Sequence, residues 1–175
     1  GQICCASKRL IVHENRFDEV VNAIKDDLLT KKVGDAMDND TEIGPLAAKR
    51  QLDLLKEQVQ DAIDKSATVI CGGKEPKGLH GAYFEPTILT NITPNMRVWH
   101  EEVFGPVLPI ITFSTYEEGI EKANDTEYGL GATIFTEDTE IVTRATRDIQ
   151  SGMIKVNSTG SVSYTHLTLP TSTHG

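Results

Sequence analysis

Cysteine is scarce. The 175 residues hold three, Cys4, Cys5 and Cys71, and two of these are adjacent. An odd count with a vicinal pair is a poor disulfide framework and fits a reducing, cytoplasmic setting. The five histidines (His13, His80, His100, His166 and His174) are scattered. No four ligands fall at zinc-like spacing, so no metal site is expected. Basic residues are outnumbered, 17 against 26 acidic, for a net charge of −9. Phosphate binding needs a basic face, which argues against nucleic acid as a main partner. No run of about 18 apolar residues appears, so no membrane span is expected, and no basic-then-apolar leader is seen. A glycine-rich phosphate loop of GxGxxG type is also missing. Gly129–Ala132 (GLGA) lies inside an expected strand and is not one.

What is present is ordinary globular material, 38% hydrophobic and 25% charged. Its length suits one domain or one lobe of a larger enzyme. Lys8–His13 reads as a short buried strand. Asn15, read as an N-cap with Asp18 three residues later, opens a helix with Phe17, Val20, Val21, Ile24, Leu28 and Leu29 on one face. A loop covers 31–45. After Pro45 a second helix runs to about Ser66, its stripe formed by Leu52, Leu55, Val59 and Ile63. Ala67–Cys71 is a strand. Tyr83–Leu89 is extended but broken by Pro86, which suggests an edge or irregular strand. Val107–Phe113 is apolar on both faces, as in a covered sheet. Thr115 to about Asn124 is helical, Gly129–Phe135 a strand, Glu137–Ile149 a helix and Gly152–Val156 a strand. This alternation predicts an α/β fold with a mostly parallel covered sheet and flanking helices. Residues 158–175 break the pattern. They lack Asp, Glu, Lys and Arg, and half are Ser or Thr. They resemble translated sequencing-adapter read-through and are expected to be a non-native or disordered tail.

Four constellations carry possible chemistry. Cys4 and Cys5 are nucleophile candidates, since a thiol becomes reactive beside a cation, a base or helix N-terminal dipoles. Lys8 and Arg9 are near in sequence, but the residues alone do not choose between the two thiols. His100–Val107 (HEEVFGPV) places two acids before an aromatic and a Gly-Pro turn. An ionised carboxylate there suits the two donors of a sugar diol. Glu42–Leu46 (EIGPL) precedes a helix. Asn157 ends a strand, where open α/β sheets face their ligands.

The order GQICCASKR, EIGPL, GAYFEPTIL, EEVFGPV, NDTEYGLGATIFT and SGMIKVN resembles the aldehyde dehydrogenase superfamily from Gly1 to about Asn157. GQICCASKR with DNDTEIGPLA is most similar to succinate-semialdehyde dehydrogenases. The resemblance implies a partial catalytic domain over 1–157 and NAD(P)-dependent oxidation of a small-molecule aldehyde to its acid. It makes Cys4 the nucleophile, passing through a thiohemiacetal and a thioester. It places Glu102 at the nicotinamide-side ribose, Phe104 at the nicotinamide, Gln51 near the adenine-side ribose, and Asn157 as structural support. NAD or NADP is the implied cofactor and a homo-oligomer the implied full-length assembly. The family's general-base glutamate, oxyanion-hole asparagine and most of the dinucleotide-binding domain lie upstream of the cysteine, and after Asn157 SVSYTHLTLP replaces a Pro-Phe-Gly-Gly loop. The chain is therefore expected to be truncated at both ends and inactive alone. A CoA-acylating member of the superfamily and a non-catalytic structural or binding protein on the same fold are the alternatives.

Overall fold

The computed structural model describes residues 1–158; the expectation for the tail falls, from residue 159 on, outside the described residues. The chain divides into two compact units, Gly1–Ser114 and the residues from Thr115 onward. In the first unit β1 (Leu10–His13), β2 (Thr68–Cys71), β3 (Thr87–Thr90) and β4 (Val107–Phe113) form one sheet in the order β1-β4-β3-β2. β1 runs parallel to β4 and β4 parallel to β3, while β2 is an antiparallel edge. The mostly parallel covered sheet is thus present.

Both faces of this sheet are apolar, and the alternation along each strand divides the core. Side chains of neighbouring strand residues point to opposite faces. Ile11, Val69, Leu89, Val107 and Ile111 fall on one side, packed with α2 (Lys49–Asp64). Val12, Ile70, Ile88, Leu108 and Ile110 fall on the other, packed with α1 (Phe17–Thr30). A β-bulge between Val69 and Cys71 breaks the alternation, so Ile70 and Cys71 both join the α1 side.

Several local expectations change. Asn15 does not cap α1. Its backbone N–H donates to His13 Nδ1 at 3.2 Å, and a 3₁₀ turn, Glu14–Arg16, leads into the helix. α2 starts at Lys49, four residues beyond Pro45, and Ile63 is exposed while Ala62 takes its place in the core. The Pro86 segment is not an edge. β3 begins one residue after the proline, lies between β4 and β2, and is buried throughout. Pro86 thereby terminates nothing, because the ladder begins at Thr87. A one-turn helix, α3 (Arg97–His100), had no periodic signal of its own; Asp61 of α2 accepts from its first N–H at 2.8 Å.

The second unit holds α4 (Tyr116–Asn124), β5 (Ala132–Ile134), α5 (Thr139–Asp148) and β6 (Ile154–Val156), with β5 and β6 parallel. Thr115 caps α4 by accepting from Glu118 N, and Asp138 caps α5 by accepting from Glu140 N and Ile141 N. No helix among the described residues is long and apolar enough to cross a membrane. Leu89, fully buried at the centre of the sheet, tests the packing: Leu89→Ala is expected to destabilise the protein by about 2–5 kcal/mol, read from the urea midpoint at unchanged m-value.

Candidate active site

The cysteine pair occupies the middle of a tight turn. Ala6 N donates to Ile3 O at 3.1 Å, leaving Cys4 exposed and Cys5 half-buried. Neighbouring side chains diverge, so the two thiols face different surroundings. Neither they nor Cys71 form a disulfide. The turn leads through Lys8 into β1 and is tied down on the other side by Gln2. The Gln2 amide donates to Pro45 O at 3.1 Å and accepts from Ala47 N at 2.9 Å. One side chain thus joins the cysteine segment to the EIGPLA segment, satisfying two backbone groups.

The EEVFG segment, which follows α3, is placed by α2. Gln51, Leu55 and Gln58 recur on one face of that helix. Gln58 is 2% exposed, and its amide donates to Glu101 Oε2 at 2.9 Å and to Glu102 O at 3.3 Å. Arg97 Nε donates to the other Glu101 oxygen at 2.7 Å. These contacts, first Arg97 and then Gln58, hold the Glu101 carboxyl below the usual carboxylate range against its own desolvation. Glu101 is therefore an anchor, which leaves Glu102 as the acid turned toward the cysteine turn. α2 comes close to Gly105: a Cβ there would lie 2.9 Å from Leu55 Cδ2, so the Leu55 side chain would have to shift. Gly1 abuts the Gly105 carbonyl closely enough that any Cβ would collide with it.

Lys8 joins the two segments. Its Nζ donates to Gly1 O at 2.7 Å and Ile3 O at 3.1 Å, lies 3.7 Å from Glu102 Oε1, and sits 4.2 Å from the centroid of the Phe104 ring. Burial pushes the Lys8 ammonium below its ordinary pKa, while Glu102, Cys4 and Cys5 pull it back up. Cys4 therefore shares one corner of the first unit with Glu102 and Phe104, which lie about a hundred residues further along the sequence. Gln51 stands at the start of α2, on the face that continues to Leu55 and Gln58. Among the described residues its buried Oε1 has no hydrogen-bond partner.

The aldehyde dehydrogenase family pattern matches residues 1–169. The chain belongs to the aldehyde dehydrogenase family. It is 42% identical over 158 residues to the chloroplastic betaine aldehyde dehydrogenase of Atriplex hortensis, covering 90% of this chain and 32% of that protein. It is 40% identical over 157 residues to an NADP(+) succinate-semialdehyde dehydrogenase of Deinococcus radiodurans, covering 90% and 33%. Among solved structures, 3,6-anhydro-L-galactose dehydrogenase in complex with NAP superposes with a TM-score of 0.88 at 40% identity, covering 93% of this chain and 35% of that one. Succinate-semialdehyde dehydrogenase from Burkholderia pseudomallei gives 0.89 at 34% identity, covering 93% and 33%. The chain spans about a third of the length of these relatives.

Asn157 belongs to the second unit. It adopts a left-handed conformation (φ 48°), and its side chain accepts from Thr136 N at 3.0 Å and donates to Thr136 O at 2.8 Å. Both ends of the amide extend the β5–β6 pairing, a structural role. The residues that sequence reading passed over are Gln2 and Gln58. Gln58 did leave a signal, as a polar residue inside the apolar stripe of α2. Gln58→Leu is expected to destabilise the protein by about 1–3 kcal/mol in urea unfolding, because Glu101 loses a buried donor. The depressed Glu101 pKa contributes stability that is present above the unfolded value of about 4.3 and lost as pH falls through the folded value. Glu101→Gln should accordingly flatten the fall in melting temperature between about pH 5 and pH 3.

Proposed function

We propose that the chain carries the nucleophile and part of the dinucleotide contact surface of an NAD(P)-dependent aldehyde dehydrogenase. The carrying observation is the convergence of the Cys4 turn, Glu102 and Phe104 on one ammonium. The residues present fit a dinucleotide. Glu102 offers a carboxylate acceptor with a third of its side chain exposed, suited to a ribose diol. Phe104 offers a ring beside it. Gln51 offers a buried acceptor without a partner among the described residues, the kind of atom that a hydroxyl donor satisfies.

In this reading the Cys4 thiolate adds to the aldehyde carbon and forms a thiohemiacetal. The Cys4 backbone N–H donates to the developing oxyanion, a contact type worth about 3–4 kcal/mol in other enzymes. Nicotinamide, when bound, supplies the hydride acceptor. Loss of hydride from the thiohemiacetal leaves a thioester on Cys4, and attack by water releases the carboxylic acid and restores the thiol. Cys5, diverging from Cys4 in the turn, is a packing neighbour. Because the chain spans about a third of its relatives' length, the complete reaction, including the base that activates water and the homo-oligomeric assembly, is assigned to the full-length protein.

The names of the relatives span betaine aldehyde, succinate semialdehyde and 3,6-anhydro-α-L-galactose. Succinate semialdehyde is the first substrate to try, on the wording of GQICCASKR and DNDTEIGPLA. NAD(P)H formation by the full-length protein with a panel of aldehydes tests the reading. Cys4→Ser should lower turnover by at least about 10³-fold and Cys5→Ser far less, and Glu102→Gln should raise the dinucleotide KM. Turnover that survives Cys4→Ser sinks the proposal.

A further inference from the structure

Lys8 makes more contacts at the site than any role in packing alone demands. It is held by the carbonyls of Gly1 and Ile3, the carboxylate of Glu102 and the face of Phe104. Its side chain is 18% exposed, so its charge is poorly screened. The bond to Ile3 O has a consequence one atom group further on. The Ile3–Cys4 peptide is planar and trans, so fixing the Ile3 carbonyl fixes the opposed Cys4 N–H. Ala6 N donates to the same oxygen at 3.1 Å. Two donors therefore set the plane of the peptide whose N–H faces the reaction in the proposed chemistry.

We propose that Lys8 is a positioning residue for that reaction. It orients the Cys4 peptide, places a positive charge beside the cysteine turn, and holds Glu102 and Phe104 against that turn. The inference rests on the dehydrogenase reading for the reaction it serves, but its electrostatic part is a property of the folded site. A cation beside the turn attracts an anionic reagent toward Cys4 more than a neutral one. A cation stacked on a ring face also draws on the ring quadrupole, so Phe104 is oriented by the same atom that lies 3.7 Å from Glu102 Oε1.

The full-length protein with Lys8→Met, Lys8→Gln and Lys8→Arg tests this by alkylating Cys4 at pH 7 with iodoacetate and with iodoacetamide, read by peptide mass spectrometry. Cys71, packed on the α1 side of the sheet, is the internal reference. A local cation accelerates the anionic reagent more than the neutral one, whereas a merely loosened turn changes both together. The ratio of the iodoacetate rate to the iodoacetamide rate at Cys4 should fall about threefold or more in Lys8→Met, stay constant at Cys71, and return to within about twofold of the parent in Lys8→Arg. Should the Met variant not fold, Lys8→Gln reads the same loss of charge. In turnover, Lys8→Met should lower kcat about tenfold or more and raise the dinucleotide KM, with Lys8→Arg recovering part of both. An unchanged ratio in folded Lys8→Met or Lys8→Gln, or an Arg variant as depressed as the Met variant, overturns the proposal. Alkylation needs no turnover, so a parent protein without NAD(P)H formation sinks the dehydrogenase reading separately from this one.

Discussion

The double burial of β3 and β4 is the constraint on which everything else hangs. Each strand alternates apolar residues to both faces, and each face must be covered by a helix for the sheet to leave water. α2 covers one face, and once there it cannot avoid the loop that enters β4. Leu55 meets Gly105, and Gln58 meets Glu101 and the Glu102 backbone. The parallel pairing of β1 with β4 then brings the residues before β1 to the residues before β4. Parallel neighbours have their starts at the same sheet edge. The cysteine turn and the EEVFG segment meet because each precedes one of two adjacent parallel strands.

Charge is used sparingly in this corner and each group has a separate job. Two adjacent acids, Glu101 and Glu102, would repel if both faced the same surroundings. Arg97 and Gln58 take Glu101 into the α2–α3 contact, so only Glu102 contributes to the open side. Lys8 lies 3.7 Å from that one remaining carboxylate and bonds the turn carbonyls with the same group. The division between anchoring acid and available acid comes from hydrogen-bond geometry rather than from the residue type.

Strand periodicity was legible in the residues wherever both faces are apolar. Val107–Phe113 is a strand over those residues, and the division of Ile110 from Ile111 follows from alternation alone. The stripe of α2 was legible through Leu52, Leu55 and Val59. Pro86 misled because a proline immediately before a strand and one inside it look alike in sequence; only the ladder, starting at Thr87, distinguishes them. Asn15 misled because His13 offered its backbone neighbour a competing acceptor. At the site, the identities of Cys4, Glu102 and Phe104 were reachable through motif wording, while Gln2, Gln58 and the four contacts of Lys8 required knowing which segments meet. Long-range contacts between polar side chains and backbone groups have no period and leave no pattern to count.

The pairing of β1 with β4 places Leu10 opposite Ile110. Forming that pair closes a loop of a hundred residues, the costliest ring in the sheet in chain entropy. During synthesis β1 leaves the ribosome long before its partner exists, and β3 with the antiparallel β2 are nearer neighbours along the chain. The segment bearing Cys4 is thus made about a hundred residues before the strand that β1 pairs with. A nascent chain carries its thiol without the carboxylate and ring that later surround it, so the protein cannot acquire this arrangement of charge until most of the first unit has been translated.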